Sequence, residues 1–207
     1  MRWLVPIYRD ESLAFVGMSI TEKLIDQCKR NKTRAQIELF KLCYPQLMPV
    51  CKRYVKEDEA AAMLNLGFYK VLKGVQRYEF SNEIVFMHWA KRVVINAIID
   101  ELRKQKKYKD QHTAVDHLEI NGMATKASYN AAALHMDAEH IHNMIAKLAP
   151  VQQTVFNLYV VDGYVHKEIA ERLEMSENTS RWYLAQARKE LQAMLAVYSN
   201  QQIKVKA

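Results

Sequence analysis

The chain is poor in residues that break helices: its 207 residues include only five glycines and four prolines. Long runs of Ala, Leu, Lys, Glu, Gln and Met lie between them, and these residue types favour helix. The scarcity of turn residues therefore predicts an all-α protein. The length gives room for one large or two small domains, each able to close a hydrophobic core without metal or disulfides.

The sequence also lacks the signs of a membrane or secreted protein. No apolar run approaches the roughly 20 residues that a membrane-spanning helix requires, and the N-terminal residues MRWLVPIYRDESLAFVG are too polar and interrupted for a secretory signal. The three cysteines, Cys28, Cys43 and Cys51, form no CxxC pair. We expect them to be reduced, buried or half-buried thiols of a cytoplasmic protein.

No pattern in the sequence predicts catalysis. A glycine-rich phosphate loop, a Ser-His-Asp or Cys-His arrangement and a set of metal ligands are all missing. The histidines His135, His140 and His142 are better explained as a solvated helix face than as a metal site. We therefore expect a protein that is not an enzyme and uses no cofactor.

Positive charge is what the composition does offer. The formal net charge is +7 and the isoelectric point is near 9.2. Such a balance indicates an acidic partner, with nucleic acid first and a membrane surface second.

Residues 150–195 have the spacing of a helix-turn-helix. A short first helix would be pinned by Ile169, Ala170, Leu173 and Met175, and a longer second helix would bury Leu184, Ala187, Leu191 and Leu195. Ser176 is the expected N-cap of the second helix, with Asn178 and Thr179 as alternatives. Two residues fit less well: Glu174 stands where glycine is the easy turn residue, and Ser180 replaces a buried aliphatic. An ordinary helical hairpin in a bundle has the same spacing.

The exposed face of that second helix would be polar and basic, formed by Asn178, Arg181, Trp182, Ala185, Gln186, Arg188 and Lys189. Arginine and lysine bind phosphates, arginine and asparagine also read base edges, and a helix of this width fits the major groove. This face therefore predicts DNA binding.

Three helices are expected in the first half of the chain, over about residues 19–30, 33–55 and 57–78. Pro45 and Pro49 should kink or split the second, because each removes a backbone donor and clashes with the preceding turn. The third begins with Asp58 and Glu59, acidic residues that suit a helix N-terminus.

A loop rich in aromatic residues then leads into a long helix over about residues 82–108. Tyr78, Phe80, Phe86 and Trp89 surround the loop, where rings can belong to the core or stack on unpaired bases. The helix carries Arg92, Asn96, Asp100 and Arg103 at spacings of four, four and three, so these residues share one face. Its basic end, with Arg103, Lys104, Lys106, Lys107 and Lys109, suits either the helix dipole or a nucleic acid.

Helical periodicity fails from Asp110 to about His135, and a linker of that length marks a domain boundary. A helix over roughly residues 136–148 follows. Pro150 suits the first turn of the next helix, and Gly163 suits its C-terminal cap.

Two separate stretches, in this order, resemble one family. NLGFYKVL and FMHWAKRVVINAIIDELRKQKK are similar to the core-binding helix and the promoter-melting and recognition helix of RNA polymerase sigma factors. LAPVQQTVFNLYVVDGYVHKEIAERLEMSENTSRWYLAQARKEL resembles the fourth conserved region of the same family. The likeness is to the extracytoplasmic-function group, in the variants of the Bacteroidetes, and it covers about residues 19–108 and 137–197.

The resemblance implies two helical domains joined by a flexible linker, the C-terminal one a helix-turn-helix. The expected order is an N-terminal extension (1–18), a region 2 domain (19–108), the linker (109–135), a region 4 domain (136–198) and a tail (199–207). The additional middle domain of housekeeping sigma factors is missing from this arrangement.

The resemblance also implies a role for particular residues. Core RNA polymerase, through its largest-subunit clamp helices, would be bound by Asp58, Glu59, Asn65, Phe68 and Lys70. The downstream, minus-ten promoter element would be opened and read by Tyr78, Phe80, Trp89, Arg92, Asn96, Asp100, Arg103 and Lys104. The upstream, minus-thirty-five element would be contacted by Lys167, Asn178, Arg181, Trp182, Gln186 and Arg188. The polymerase flap region and an anti-sigma factor are further expected partners.

The chain departs from the family pattern in the core-binding helix and in the recognition helix. Ala61, Ala62 and Leu66 stand where acidic residues are usual in the core-binding helix, and Trp182 and Tyr183 where serine and arginine are frequent. Two other functions remain open: a helix-turn-helix regulator that binds DNA without polymerase, and an anti-sigma or scaffolding protein. Only the sigma factor requires both promoter DNA and core polymerase.

Overall fold

The computed structural model describes the backbone of residues 19–112 and 134–205, and the side chains of residues 19–105 and 140–198. All regular elements in these ranges are helices, which confirms the all-α prediction. The expected N-terminal extension, residues 113–133 of the linker and the side chains of the tail lie outside the described residues. None of the described helices is long and apolar enough to cross a membrane.

The helices are α1 (Glu22–Lys29), α2 (Thr33–Lys52), α3 (Glu57–Val75), α4 (Glu83–His112), α5 (Leu134–Ala146), α6 (Pro150–Phe156), which continues as a π-helix (Asn157–Val161), α7 (His166–Leu173) and α8 (Glu177–Val205). They divide into two compact units. The first holds the described residues up to Lys52 together with Glu57–Glu101, and the second holds Arg53–Lys56 and the described residues from Leu102 onward. The prediction of two helical domains is confirmed.

The first unit is a helical bundle with an apolar core. Leu39, Leu64, Phe68, Phe86, Ile95 and Ile98 are among its fully buried side chains. Thr21 caps α1, because its side-chain oxygen accepts a hydrogen bond from the Leu24 amide at 3.3 Å. Gly67 lets α3 and α4 pack closely, since a Cβ at this position would lie 3.0 Å from the methyl groups of Val94. The long helix α4 is thereby held against α3.

Pro45 and Pro49 do not divide α2, so of the two predicted outcomes, a kink or a split, the split is wrong. The two prolines are four residues apart, and both are exposed on the same side of the helix. Cys43, Leu47 and Val50 are buried in α2 around them. Burial of this apolar face holds the helix together in spite of the missing backbone donors.

The second unit contains the helix-turn-helix. Pro150 is the first residue of α6, as predicted, and the Ala149 amide donates to the side chain of Gln152 at 3.2 Å. Gly163 follows the π-helix with a φ of 71°, the left-handed conformation expected of a terminating glycine. Leu184 and Ala187 of α8 are buried, but Leu195 is 44% exposed. Leu195 is therefore not part of the buried face that the periodicity predicted for α8.

The helix bounds differ from prediction around the linker. Helix α4 reaches His112 and α5 begins at Leu134, so both ends of the expected linker are helical. Lysine and glutamine favour helix even where no core positions recur, which is why loss of periodicity placed the end of α4 too early.

Candidate nucleic-acid interface

The four rings predicted around the loop form one cluster at the start of α4. Tyr78 lies 4.5 Å from Trp89 and 5.3 Å from Phe86, centroid to centroid. Phe86 is 5.5 Å from Trp89 and 6.5 Å from Phe80. Phe86 is fully buried, whereas the other three rings are partly exposed. One ring of the cluster therefore belongs to the core, and the other three can contact a partner.

Two local features set the position of this cluster. Asn82 caps α4, because its side-chain oxygen accepts a hydrogen bond from the Val85 amide at 2.9 Å. Gly74, near the end of α3, leaves space for the indole of Trp89: a Cβ there would lie 2.7 Å from Trp89 Cζ2. The loop between α3 and α4 is thus held at two points: the cap formed by Asn82, and the contact of Gly74 with the indole of Trp89.

The Tyr78 hydroxyl is buried, and no hydrogen-bond partner for it occurs among the residues that the structure describes. Burial raises the pKa of this hydroxyl from its usual value. A buried hydroxyl without a partner costs folding free energy.

The predicted polar face follows the cluster along α4. Arg92 and Lys104 are exposed, and Asn96 is half-buried. Asp100 accepts a hydrogen bond from the Lys70 ammonium at 2.9 Å, so two residues with different expected roles form one ion pair within the first unit. Arg103, which falls in the second unit, pairs with Glu174.

The residues expected to bind polymerase lie on α3, and all but one of them are at least partly exposed. Asp58 and Glu59 are exposed in the first turn, and Asn65 and Lys70 are half-buried. Phe68 is only 1% exposed, and its ring packs edge-on against Phe40 at 5.0 Å. The expectation of a surface contact by Phe68 is therefore corrected: its ring belongs to the core that supports α3.

The turn between α7 and α8 is left-handed, although glutamate stands where glycine would adopt this conformation most easily. Glu174 adopts a left-handed conformation with φ 54° and ψ 46°. Ser176 then caps α8, as predicted, by accepting a hydrogen bond from the Thr179 amide at 3.0 Å. A helix-turn-helix turn is thus formed without glycine, at a conformational cost of about 1–2 kcal/mol.

Ser180 fills its core position through a hydrogen bond. It is fully buried, and its Oγ lies 2.9 Å from Nδ1 of His166, the first residue of α7. The bond replaces the apolar contact that an aliphatic residue would make, because a paired hydroxyl can be buried at little cost. His166 also ties α7 to α8.

The predicted recognition face lies on the surface of the second unit. Lys167, Asn178, Arg181 and Arg188 are exposed, Trp182 is 54% exposed and Gln186 is half-buried. Arg181 donates to Glu177 at 2.9 Å and to Asn178 at 3.4 Å, so its guanidinium is held along the first turn of α8. Trp182 meets Tyr183 edge-on at 5.0 Å.

The surroundings of His166 keep it neutral. Its pKa is lowered, first by desolvation and then by the charge of Arg181, with Arg188 adding to the effect and Glu177 opposing it. A neutral ring can accept or donate at Nδ1 and so suits the bond to Ser180.

Three residues of these sites were not predicted from the sequence: Gly74, His166 and Tyr159, whose ring lies 4.5 Å from the imidazole of His166, centroid to centroid. Gly74 and His166 act through partners 15 and 14 positions away, Trp89 and Ser180, beyond the reach of helical periodicity. Ser180 at a predicted core position was the one sign of the His166 contact, because a buried hydroxyl needs a partner. For Tyr159 the sequence offers none.

The sequence profile of Sigma-70 region 2 matches residues 39–108, and that of Sigma-70, region 4 matches residues 138–191. Together the two profiles span more than half of the chain, in the order and over the elements just described. The chain belongs to the sigma-70 family. It is therefore a sigma factor that binds core RNA polymerase and promoter DNA and directs transcription initiation. The region 2 match decides against a helix-turn-helix regulator that acts without polymerase.

The solved structures that are similar to this chain include two of low identity. One is the sigma factor RpoE in complex with the anti-sigma factor NepR from Bartonella quintana, 16% identical, with a TM-score of 0.49, covering 77% of this chain and 96% of that one. The other is CnrH in complex with the cytosolic domain of CnrY, 17% identical, with a TM-score of 0.43, covering 84% of this chain and 96% of that one. Among proteins with curated descriptions, none matches the sigma factor significantly.

Proposed function

We propose that the sigma factor opens the promoter at the aromatic cluster and reads the downstream element with the adjoining face of α4. The observation that carries this proposal is the position of Tyr78, Phe80 and Trp89, partly exposed at the start of the helix that carries Arg92 and Asn96. Rings stack on unpaired bases whatever their identity, whereas an amide or guanidinium reads base edges. The two kinds of group stand side by side here.

Opening would proceed by capture of bases that leave the duplex. Unstacking a base costs a few kcal/mol, and stacking on a protein ring with hydrogen bonds to the base edge offsets that cost. Arg92 and Lys104 would hold the strand by its phosphates, while Asn96 reads an edge. The ion pair with Lys70 holds the carboxylate of Asp100 beside these residues of α4.

The upstream element would be read by α8. Asn178, Arg181, Trp182 and Gln186 lie along its first three turns, and Lys167 and Arg188 flank them with positive charge. A recognition helix presents its N-terminal turns to the base edges in the major groove. Binding of polymerase makes the second DNA contact intramolecular, so two weak readers suffice.

Contact with the clamp helices of core polymerase would use the exposed side of α3, with Asp58, Glu59, Asn65 and Lys70. Ala61 is half-buried and Ala62 exposed, and neither supplies the acidic group usual there. The acidic contribution would therefore come from the first turn of α3, and Phe68 would contribute only by supporting the helix.

The proposal extends to two further points: the protein belongs to the extracytoplasmic-function group, and an anti-sigma factor controls it. Support comes from the motifs of both conserved regions. Such a protein would act in the cytoplasm, where the polymerase and the promoter are, and would perform no covalent chemistry itself.

The test compares Asn96→Ala with Gln105→Ala in transcription from a promoter of known start site with purified core polymerase. Asn96 and Gln105 are amides on opposite sides of α4, nine residues apart. We expect Asn96→Ala to lower opening or downstream selectivity by roughly 5- to 100-fold, the range of one base-edge contact, with polymerase affinity unchanged. Loss of polymerase binding, or equal behaviour of the two variants, would contradict the role given to Asn96.

A further inference from the structure

Arg188 is connected to the first helix of the helix-turn-helix through two rings. Its guanidinium carbon lies 5.9 Å from the centroid of the Tyr159 ring. The Tyr159 ring is stacked on the imidazole of His166, with centroids 4.5 Å apart and planes inclined by 24°. His166 Nδ1 in turn lies 2.9 Å from Ser180 Oγ in α8. The contacts form a closed circuit from α8 through the π-helix and α7 back to α8.

The π-helix determines where Tyr159 lies in this circuit. Tyr159 is the middle residue of Asn157–Val161, and the Asp162 amide closes the wide turn on the Asn157 carbonyl at 2.9 Å. A π-turn adds a residue to the helical turn and so redirects the side chains that follow its start, and such turns occur frequently at functional sites. Buried Leu158 and half-buried Tyr159 are thus placed toward α7 and α8 at the end of α6.

Arg188 gains order from this arrangement. A free arginine side chain samples many rotamers, and binding a phosphate requires that most of them be lost. An aromatic face that holds the guanidinium restricts these rotamers before DNA arrives. Because the imidazole beneath the phenol ring is hydrogen-bonded to a fully buried serine, the ring itself has a fixed support.

We propose that Tyr159 and His166 are positioning residues of the upstream DNA reader, which hold the Arg188 guanidinium ready for a DNA phosphate. The inference rests on the proposed upstream contact by α8. Its new element is that two residues outside the recognition helix set the strength of a contact made by that helix. Neither of the two touches DNA in this role.

The experiment uses holoenzyme assembled from the full chain and core polymerase, with binding to a promoter duplex measured over a series of KCl concentrations. Arg188→Ala should make the negative slope of log affinity against log salt shallower by about 0.9, the value for one phosphate contact. Tyr159→Leu should weaken binding roughly two- to fivefold, the range of one exposed cation–π contact, and should also make the slope shallower. Tyr159→Phe keeps the ring and should behave as the unchanged protein.

The double variant Tyr159→Leu/Arg188→Ala decides the mechanism. We expect it to bind as Arg188→Ala does, because the ring has nothing left to position. Independent, multiplying effects of the two changes would overturn the inference, as would a Tyr159→Leu holoenzyme with unchanged affinity and slope. Should Tyr159→Leu fail to fold, His166→Asn removes the stacked ring, leaves a polar group for Ser180, and must give the same loss.

Arg181→Ala separates this inference from the proposed function. If Arg181→Ala weakens promoter binding while Arg188→Ala and Tyr159→Leu do not, α8 still reads the upstream element and only the positioning role fails. If Arg181→Ala and Arg188→Ala are both without effect, the upstream reader itself is wrong, and the inference falls with it.

Discussion

Gly74 and Trp89 are in direct contact across the interface of α3 and α4: a Cβ on Gly74 would lie 2.7 Å from Cζ2 of the indole. The indole cannot easily move away, because Tyr78 and Phe86 pack on it at 4.5 and 5.5 Å. The absence of a side chain at Gly74 is therefore a requirement of the aromatic cluster.

Gly74→Ala should destabilise the first unit by about 1–3 kcal/mol, the usual cost of overpacking. In an open helix the same change would stabilise by roughly 0.5–1 kcal/mol. The free energy of unfolding by urea is the measurement. In a Trp89→Ala background the clash is gone, so Gly74→Ala should there become neutral or stabilising; the same loss in both backgrounds would contradict the assigned contact.

The buried hydroxyl of Tyr78 provides a second prediction. Since no described group pairs with it, Tyr78→Phe removes a desolvated polar atom and no hydrogen bond. The free energy of unfolding should stay the same or rise by up to ~1 kcal/mol, measured by thermal or urea denaturation. A loss of more than about 1 kcal/mol would mean that the hydroxyl has a partner.

The ion pair of Lys70 and Asp100 is expected to contribute little to stability. The two side chains are 41% and 43% exposed, so solvent screens their attraction. A double-mutant cycle with Lys70→Ala and Asp100→Ala should give a coupling below ~1 kcal/mol. Effects of Asp100→Ala on transcription can then be assigned to its place on α4, and a larger coupling would show that the pair supports the fold.

Local rules were sufficient for much of this fold. The cap at Ser176 and the proline at the start of α6 were both predicted, because each depends on residues within one helical turn. The exposed face of α8 followed from periodicity in the same way. Interactions between neighbours in sequence are those that a sequence shows most directly.

Contacts between distant residues were not predictable in this way. The pairing of Phe68 with Phe40, and the bond between His166 and Ser180, depend on which helices meet and in what register. The unbroken α2 with its two prolines also depends on packing, since the buried face around Cys43 and Leu47 outweighs the local cost. The buried serine pointed to a missing partner, but only tertiary structure identifies it.

The lowered pKa of His166 predicts how stability responds to acid. Desolvation by burial is the largest cause of the lowered pKa. The charges of Arg181 and Arg188 lower the pKa further, and Glu177 raises it. Because the folded pKa lies below the ordinary value of 6.5, the unfolded chain binds the proton first as pH falls. The stability that His166 contributes is therefore fully present above about pH 6.5 and is lost as the pH falls through the folded pKa.

This dependence can be isolated by comparison with His166→Asn, which keeps a polar group near Ser180 but does not titrate. The difference in free energy of unfolding, unchanged protein minus variant, should be largest near about pH 7.5 and decrease toward about pH 5.5, by urea denaturation. Groups elsewhere titrate equally in both proteins and cancel in the difference. A difference that is constant, or that grows on acidification, would show that His166 is not held neutral between α7 and α8.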